Sequence, residues 1–296
     1  MNEREPEASG AAKPRKAATS PEASGAAKPR EAATPPEASG AAQPREAYDA
    51  RATSYALWPE LVRGETRHRV LERLEPVADE VLLDLGSGPG AMARAAGPFV
   101  KRVVLCDLSP AMLRAAAVES RRAERLVPPR AAADASALPF RDGSFDLVAC
   151  RHAARLFGSP DRAAAEMHRV LRRGGRVAIC DVMATGNAGT DRVLLALERL
   201  LAPCEVTLLT AAAWGEQLAH AGFRRDWDDQ PLVELEAGRS WIDACARCGV
   251  AQAACDQGKS ALLEAPAETR QALGVLAHGS DVVYHPPYGI IGATRV

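Results

Sequence analysis

Three glycines within five positions follow a short apolar run in Leu83-Asp84-Leu85-Gly86-Ser87-Gly88-Pro89-Gly90. A run such as Val81 to Leu85 that stops at glycines fits a buried strand ending in a tight turn. Glycines let the backbone turn sharply and approach a ligand closely. A helix beginning after the turn would leave its first N–H groups without intrahelical partners. This feature calls for a strand–loop–helix unit, and the chain around it repeats that unit.

The alternation runs along most of the chain. Tyr55 to Leu74 fits a helix with Leu57, Leu61, Val70 and Leu74 as apolar positions. Met92 to Phe99 fits a short helix, and Arg102 to Cys106 a second strand. Ser109 is a good N-cap with Pro110 at the first helical position, and that helix runs toward Leu126. Phe145 to Cys150 is a strand after the turn Arg141-Asp142-Gly143-Ser144. A helix from Asp161 to Leu171 closes at Arg172-Arg173-Gly174-Gly175, before a strand from Arg176 to Asp181. Repeated βα units predict a mostly parallel sheet with helices on both faces. Later, helices are expected near 190–202, 211–221, 239–256 and 260–277, with strands near 231–235 and 288–295.

The first 47 residues differ in kind. Pro21-Glu22-Ala23-Ser24-Gly25-Ala26-Ala27-Lys28-Pro29-Arg30 belongs to a block of period 15 whose copies begin at Pro6, Pro21 and Pro36. No aromatic, Leu, Ile or Val occurs there, and basic and acidic side chains balance. Such a segment cannot bury enough apolar area to offset chain entropy. Residues 1–47 are therefore expected to be a disordered tail, and 48–296 one α/β domain.

Charge excludes some partners. Lys and Arg total 37 against 38 Asp and Glu, a net charge of -1, and aromatics are 4%. Neither a basic footprint nor a base-stacking surface for nucleic acid is visible. No stretch approaches the roughly 20 apolar residues that a membrane span needs. The polar, acidic start does not fit a secretory leader. Seven cysteines, an odd number, fit reduced thiols and a cytoplasmic location.

In a doubly wound sheet, ligands bind beyond the carboxyl ends of the strands, where the glycine loop falls. The second strand ends at Asp107, placed to accept hydrogen bonds from ribose hydroxyls. Two cofactors suit this layout. Gly86-x-Gly88-x-x-Ala91 with Asp107 is compatible with a nicotinamide dinucleotide. Asp84, two residues before the first glycine, would not help a pyrophosphate but would suit a sulfonium cofactor with an amino-acid end.

The chain resembles class I S-adenosylmethionine-dependent methyltransferases, closest to the small-molecule group of the ubiquinone and menaquinone biosynthesis type. The resemblance rests on Asp84 to Gly90, on Asp107-Leu108-Ser109-Pro110-Ala111-Met112-Leu113, and on Asp134-Ala135 with Leu138-Pro139-Phe140. It continues through Ser144-Phe145-Asp146-Leu147-Val148 and Arg169-Val170-Leu171-Arg172-Arg173-Gly174-Gly175-Arg176. It implies a seven-stranded, mostly parallel sheet with a final antiparallel strand. It also implies that Asp84, Gly86, Ser87 and Gly88 lie by the amino-acid part of the cofactor and that Asp107 binds the ribose. Met112 would pack on the adenine, Asp134 and Ala135 would hold its edge, and Cys150 and Arg151 would border the methionine portion. The implied reaction is methyl transfer to a small-molecule acceptor by in-line displacement, with no metal. A nicotinamide oxidoreductase and a non-catalytic binding subunit are the alternatives.

His152, just after the fourth strand, is the candidate base or substrate-orienting residue. Arg151 and Arg155 could hold an acidic acceptor, and Asp146 is read as structural. Cys245, Cys248 and Cys255 are read as one packed helical stripe rather than a zinc site. His285-Pro286-Pro287-Tyr288 resembles the Pro-Pro-Tyr motif of methyltransferases acting on base amino groups. It lies too late in the chain, and is read as the entrance to the last strand.

Overall fold

The computed structural model describes residues 42–56, 65–202, 204–229 and 238–296. Five strands run parallel: β1 (Val81–Leu85), β2 (Arg102–Asp107), β4 (Phe145–Arg151) and β5 (Leu171–Val182) follow the expected alternation, whereas β3 (Arg130–Ala132), short and without a buried residue, was not expected. Later come β6 (Phe223–Asp229) and β10 (Tyr288–Arg295), which complete a seven-stranded sheet of order β3-β2-β1-β4-β5-β10-β6. β10 runs antiparallel to both its neighbours. The strand order reverses between β1 and β4, the switch point at which such sheets open a crevice.

Period-two alternation splits the core into two layers. Leu82, Val103, Leu105, Leu147 and Ala149 face one side with α2 (Thr66–Leu74), α3 (Ala91–Ala96), α4 (Pro110–Arg122) and α6 (Ala188–Leu201). Leu83, Val104, Val148 and Ile179 face the other, under α5 (Pro160–Val170) and α7 (Ala211–His220). All seven residues of β4 are buried, as a central parallel strand requires. Ser109 caps α4 by accepting the Met112 N–H at 3.0 Å, with Pro110 following it as expected.

Several expectations shift. The helix α1 (Ala42–Ala56) begins inside the stretch read as tail; Pro44 falls in its first turn, where no intrahelical donor is needed. The rest of that stretch, 1–41, lies outside the described residues. The helix expected from Tyr55 to Leu74 is represented by α2, and 57–64 lie outside the described residues, as does the expected strand at 231–235. β5 begins at Leu171, because a bulge around Arg172–Gly175 lets Leu171 pair with Phe145 before regular pairing resumes at Arg176.

The helix expected over 239–256 is two. α8 (Trp241–Cys248) stops at Gly249, whose φ of 64° is left-handed, and α9 (Gln252–Leu263) follows. Cys245 and Cys248 therefore sit on one helix and Cys255 on the next, so they form no single stripe, although all three are buried. The helix expected at 260–277 shrinks to α10 (Ala267–Ala272). Between β6 and β10 an antiparallel three-stranded sheet forms from β7 (Arg239–Ser240), β8 (Leu276–His278) and β9 (Asp281–Tyr284), in the order β7-β9-β8. Among the described residues, no helix is long and apolar enough to cross a membrane.

Candidate active site

The glycine loop leaves the tip of β1 and folds back on β2. The N–H groups of Gly86 and Ser87 both donate to the Cys106 carbonyl, at 2.8 and 3.1 Å. Gly86 has φ of 66°, and a Cβ there would come within 2.3 Å of the Ala153 Cβ, so only glycine fits. Gly88, with φ of 49°, has open space where a Cβ would be. A cavity begins over this loop and is lined along the strand tips by Asp107, Met112, Asp134 and Ala135.

Asp107 is the organising acid. Its Oδ2 accepts the Gly88 N–H at 2.8 Å and its Oδ1 accepts the Ser109 N–H at 2.9 Å. It thus joins the glycine loop to the start of α4 while lining the cavity. Burial above all pushes its carboxyl up to about 6. Asp134 makes a local turn in which Oδ1 takes both the N–H and the hydroxyl of Ser136, at 2.8 and 2.7 Å.

The residues beyond β4 close the far end. His152 holds a φ of 60°, a left-handed backbone that costs energy in a non-glycine residue. Its N–H donates to the Cys180 carbonyl at 2.8 Å, and its ring stacks on Tyr288 with centroids 4.8 Å apart. Its Nε2 is buried without a hydrogen-bond partner. Burial first, and then the charges of Arg151, Arg155 and Arg239, hold its pKa well below the usual histidine value, so the ring is neutral.

Beneath His152 lies a buried ionic network. Arg155 pairs with Asp181 at 2.7 Å and with Glu198 at 2.9 Å. Glu198 also pairs with Arg239 at 2.8 Å, and Arg239 donates to the hydroxyls of Tyr284 and Tyr288 at 3.1 and 2.8 Å. Arg151 donates through Nε to Thr66 Oγ1 at 2.8 Å. Arg155 is therefore committed to protein acids, and the expectation that it could hold an acidic acceptor meets a filled network.

The cavity takes in Gly86, Ser87, Gly88, Asp107, Met112, Asp134, Ala135, Arg151 and His152 among the expected site residues. Asp84 and Cys150 are not in its wall. Asp84 Oδ2 accepts the Ala93 N–H at 3.0 Å and so ties β1 to the first turn of α3. Burial foremost pushes that carboxyl up to about 7. Strand pleating turns Cys150 into the sheet core while its neighbour Arg151 reaches the cavity. Asp146 is structural, accepting the Val81 N–H at 2.7 Å and pairing with Arg172.

The roof of the cavity lies outside the residues expected from the sequence. Tyr48 and Tyr55 of α1 line the cavity together with Leu156, Phe157 and Cys204. The two tyrosines are seven residues apart, two helical turns, and their rings meet edge to face at 6.1 Å. That spacing was the available signal. α1 is held by Asp49, whose Oδ1 accepts the Ser109 hydroxyl at 2.5 Å and the Ala111 N–H at 3.0 Å. With α1 in place the cavity measures about 150 Å³.

The residues suit a nucleoside sulfonium with an amino-acid end. Ser87 Oγ is buried without a partner in the glycine loop, where a ligand carboxylate could take its hydrogen bond. Asp107, at the tip of β2, and the apolar Met112 line the same cavity.

A family model described as a methyltransferase domain matches residues 83–179. The uncharacterized methyltransferase YcgJ of Bacillus subtilis is 30% identical over 174 residues, which are 55% of this chain and 66% of that relative. The demethylmenaquinone methyltransferase of Clavibacter sepedonicus is 30% identical over 175 residues, 59% of this chain and 68% of that one. The chain thus spans about two-thirds of the length of these curated relatives. The crystal structure of the Bacillus subtilis YcgJ protein superposes with a TM-score of 0.70 at 22% identity, covering 78% of this chain and 98% of that one, and shows the same fold. These matches decide between the two cofactors that the glycine loop allowed: the chain belongs to the class I S-adenosylmethionine-dependent methyltransferases.

Proposed function

We propose that this protein transfers a methyl group from S-adenosylmethionine to an uncharged small-molecule acceptor with an apolar or aromatic body. The observation that carries this reading is the continuous cavity from the glycine loop to His152, roofed by Tyr48 and Tyr55. Arg155, at the acceptor end, is already paired with two carboxylates, which disfavours an anionic acceptor.

When bound, S-adenosylmethionine supplies an electrophilic methyl group on a good leaving group. The chain's own residues bind, orient and exclude water. Gly86, Ser87 and Gly88 cradle the amino-acid end, and Asp107 accepts the ribose hydroxyls. Met112 packs on the adenine, while Asp134 and the Ala135 backbone hold its edge. Arg151 borders the methionine portion. Tyr48 and Tyr55 shut out water and contact the acceptor. His152, neutral and with an unpartnered Nε2, accepts a hydrogen bond or a proton from the acceptor. The seven free cysteines support a reducing compartment, the cytoplasm. The repeat composition supports a disordered tether for the residues before α1.

Calorimetry with S-adenosylhomocysteine and with NAD tests the cofactor half. Tight binding of the first alone is expected; binding of NAD alone overturns it. A panel of phenols, enols and amines with labelled S-adenosylmethionine tests turnover. His152→Ala should leave S-adenosylhomocysteine affinity within about threefold and lower turnover by roughly 10²- to 10⁴-fold. Unchanged turnover from about pH 6 to 9 would remove His152 from the chemistry.

A further inference from the structure

A second cavity, about 590 Å³, opens between α3, the start of β2 and the stretch 125–129 that leads into β3. Its size falls within the roughly 300–1,000 Å³ of small-molecule sites. Arg94, Lys101, Arg102 and Arg125 line it, no acid does, and the rest of its wall is apolar apart from Ser120. On a chain of net charge -1, four cations around one cavity are a local concentration. Among the described residues none of the four forms an ion pair. The acid that acts most on Arg94 is Glu119, which is itself paired with Arg122 at 2.8 Å. Burial foremost, with the neighbouring Arg125 charge adding to it, holds the Arg94 guanidinium below its ordinary value.

The hydrogen bonds give these cations a direction. Arg125 Nη1 donates to the Arg94 carbonyl at 2.7 Å. Arg94 Nη1 donates to the Pro89 carbonyl at 2.6 Å. Each bond uses one of five guanidinium donors, which leaves a fork suited to a phosphate or carboxylate. Pro89 lies inside the glycine loop, next to Gly88, whose N–H bonds Asp107.

We propose that this cavity binds a small organic anion, a phosphate or carboxylate on an apolar body, and that its occupation weakens cofactor binding. An anion draws the Arg94 guanidinium off the Pro89 carbonyl and loosens the loop that cradles the cofactor. Linkage makes the effect reciprocal: a bound cofactor weakens the anion by the same factor. The coupling rests on the proposed role of the glycine loop, whereas anion binding does not.

Phenyl phosphate is the probe, titrated calorimetrically into the full chain, with inorganic phosphate and phenol as its separate halves. Phenyl phosphate should bind more tightly than inorganic phosphate, and phenol should not bind. Arg125→Ala and Lys101→Ala should each weaken phenyl phosphate by about three- to tenfold and leave S-adenosylhomocysteine affinity unchanged when no anion is present. Saturating S-adenosylhomocysteine should weaken phenyl phosphate by about fivefold or more. No binding at about 10 mM overturns the site. Equal binding of inorganic phosphate overturns its apolar half, leaving an adventitious ion only. Competition with S-adenosylhomocysteine that ignores both substitutions places the probe in the cofactor cavity and overturns the site. Binding that depends on Arg125 but leaves S-adenosylhomocysteine affinity unchanged keeps the site and overturns the coupling. Failure of S-adenosylhomocysteine to bind at all sinks the cofactor reading, and the phenyl phosphate isotherm still judges the cavity.

Discussion

Asp107 does two jobs with one carboxylate: it braces Gly88 and Ser109 and it presents lone pairs to the cavity. Hydrogen bonds to a charged partner contribute about 1.5–3 kcal/mol each. Asp107→Ala should therefore weaken S-adenosylhomocysteine by roughly one to three powers of ten, and Asp107→Asn by less, with circular dichroism unchanged. A folded Asp107→Ala that binds as tightly as the parent would displace the cofactor from this strand tip. The pH dependence follows from the raised carboxyl. In the proposed role, ribose hydroxyls donate to the ionised form, so protons and cofactor would compete for Asp107. Affinity should hold above about pH 6 and fall as pH drops through that value, by at most about tenfold per pH unit. Asp107→Asn should flatten this fall; the same fall in that variant would point to Asp84, whose carboxyl sits near 7. Asp84 also shows how a residue type misleads. A carboxylate two residues before a glycine suits either a ligand or a helix start, and only the 3.0 Å bond to the Ala93 N–H selects the second.

At the scale of elements, α1 is the piece whose position the site needs and whose sequence advertises it least. Its residues are mostly polar or small, and its docking relies on Asp49 at the start of α4 and on Arg51 donating to the Leu201 carbonyl at 2.7 Å. Asp49 adds a charge where the α4 dipole favours one. The Ser109 hydroxyl first, and then the Ala111 N–H, hold its carboxyl below the ordinary value. A lowered folded-state pKa means that the contribution is present at neutral pH and lost as pH falls through that value. Asp49→Ala should speed amide exchange over 42–56 by about two- to thirtyfold, the size of a lost cap bond. It should also speed S-adenosylhomocysteine release, and Asp49→Asn should lie between. Unchanged exchange would show that the tyrosines, rather than Asp49, hold the helix down. The central parallel strands β1, β2, β4 and β5, by contrast, announce themselves, because burial on both faces demands continuous apolar runs, and the edge strand β3, with no buried residue, does not.

Across the whole molecule, the segment before α1 is expected to add nothing to the folded domain. It offers no apolar anchor, so a chain beginning at Ala42 should keep its melting temperature and its S-adenosylhomocysteine affinity. A loss of several degrees, or of binding, would mean that the repeats dock on the domain. The part appended between β6 and β10 is less dispensable. It delivers Arg239 into the network under His152 and Tyr284 into the same cluster. All four tyrosines of the chain meet around this end: Tyr48 and Tyr55 in the cavity wall, Tyr284 and Tyr288 on Arg239.

That convergence marks the limit of the sequence. Local pattern alone determined the alternating parallel sheet, the glycine loop at its switch point, the Ser109 cap and Asp107 at the second strand tip. Each is a property of neighbouring residues: periodic burial, φ above zero, a cap followed by proline. Tertiary structure alone decided that Asp84 stands outside the cavity, that Arg155 is already paired, and that helix α1 forms the roof. Those outcomes depend on partners such as Ala93, Glu198 and Ser109, which lie from nine to sixty residues away in the chain. A hydrogen bond or ion pair is set by distance in space, which only the closed sheet and its packed helices fix.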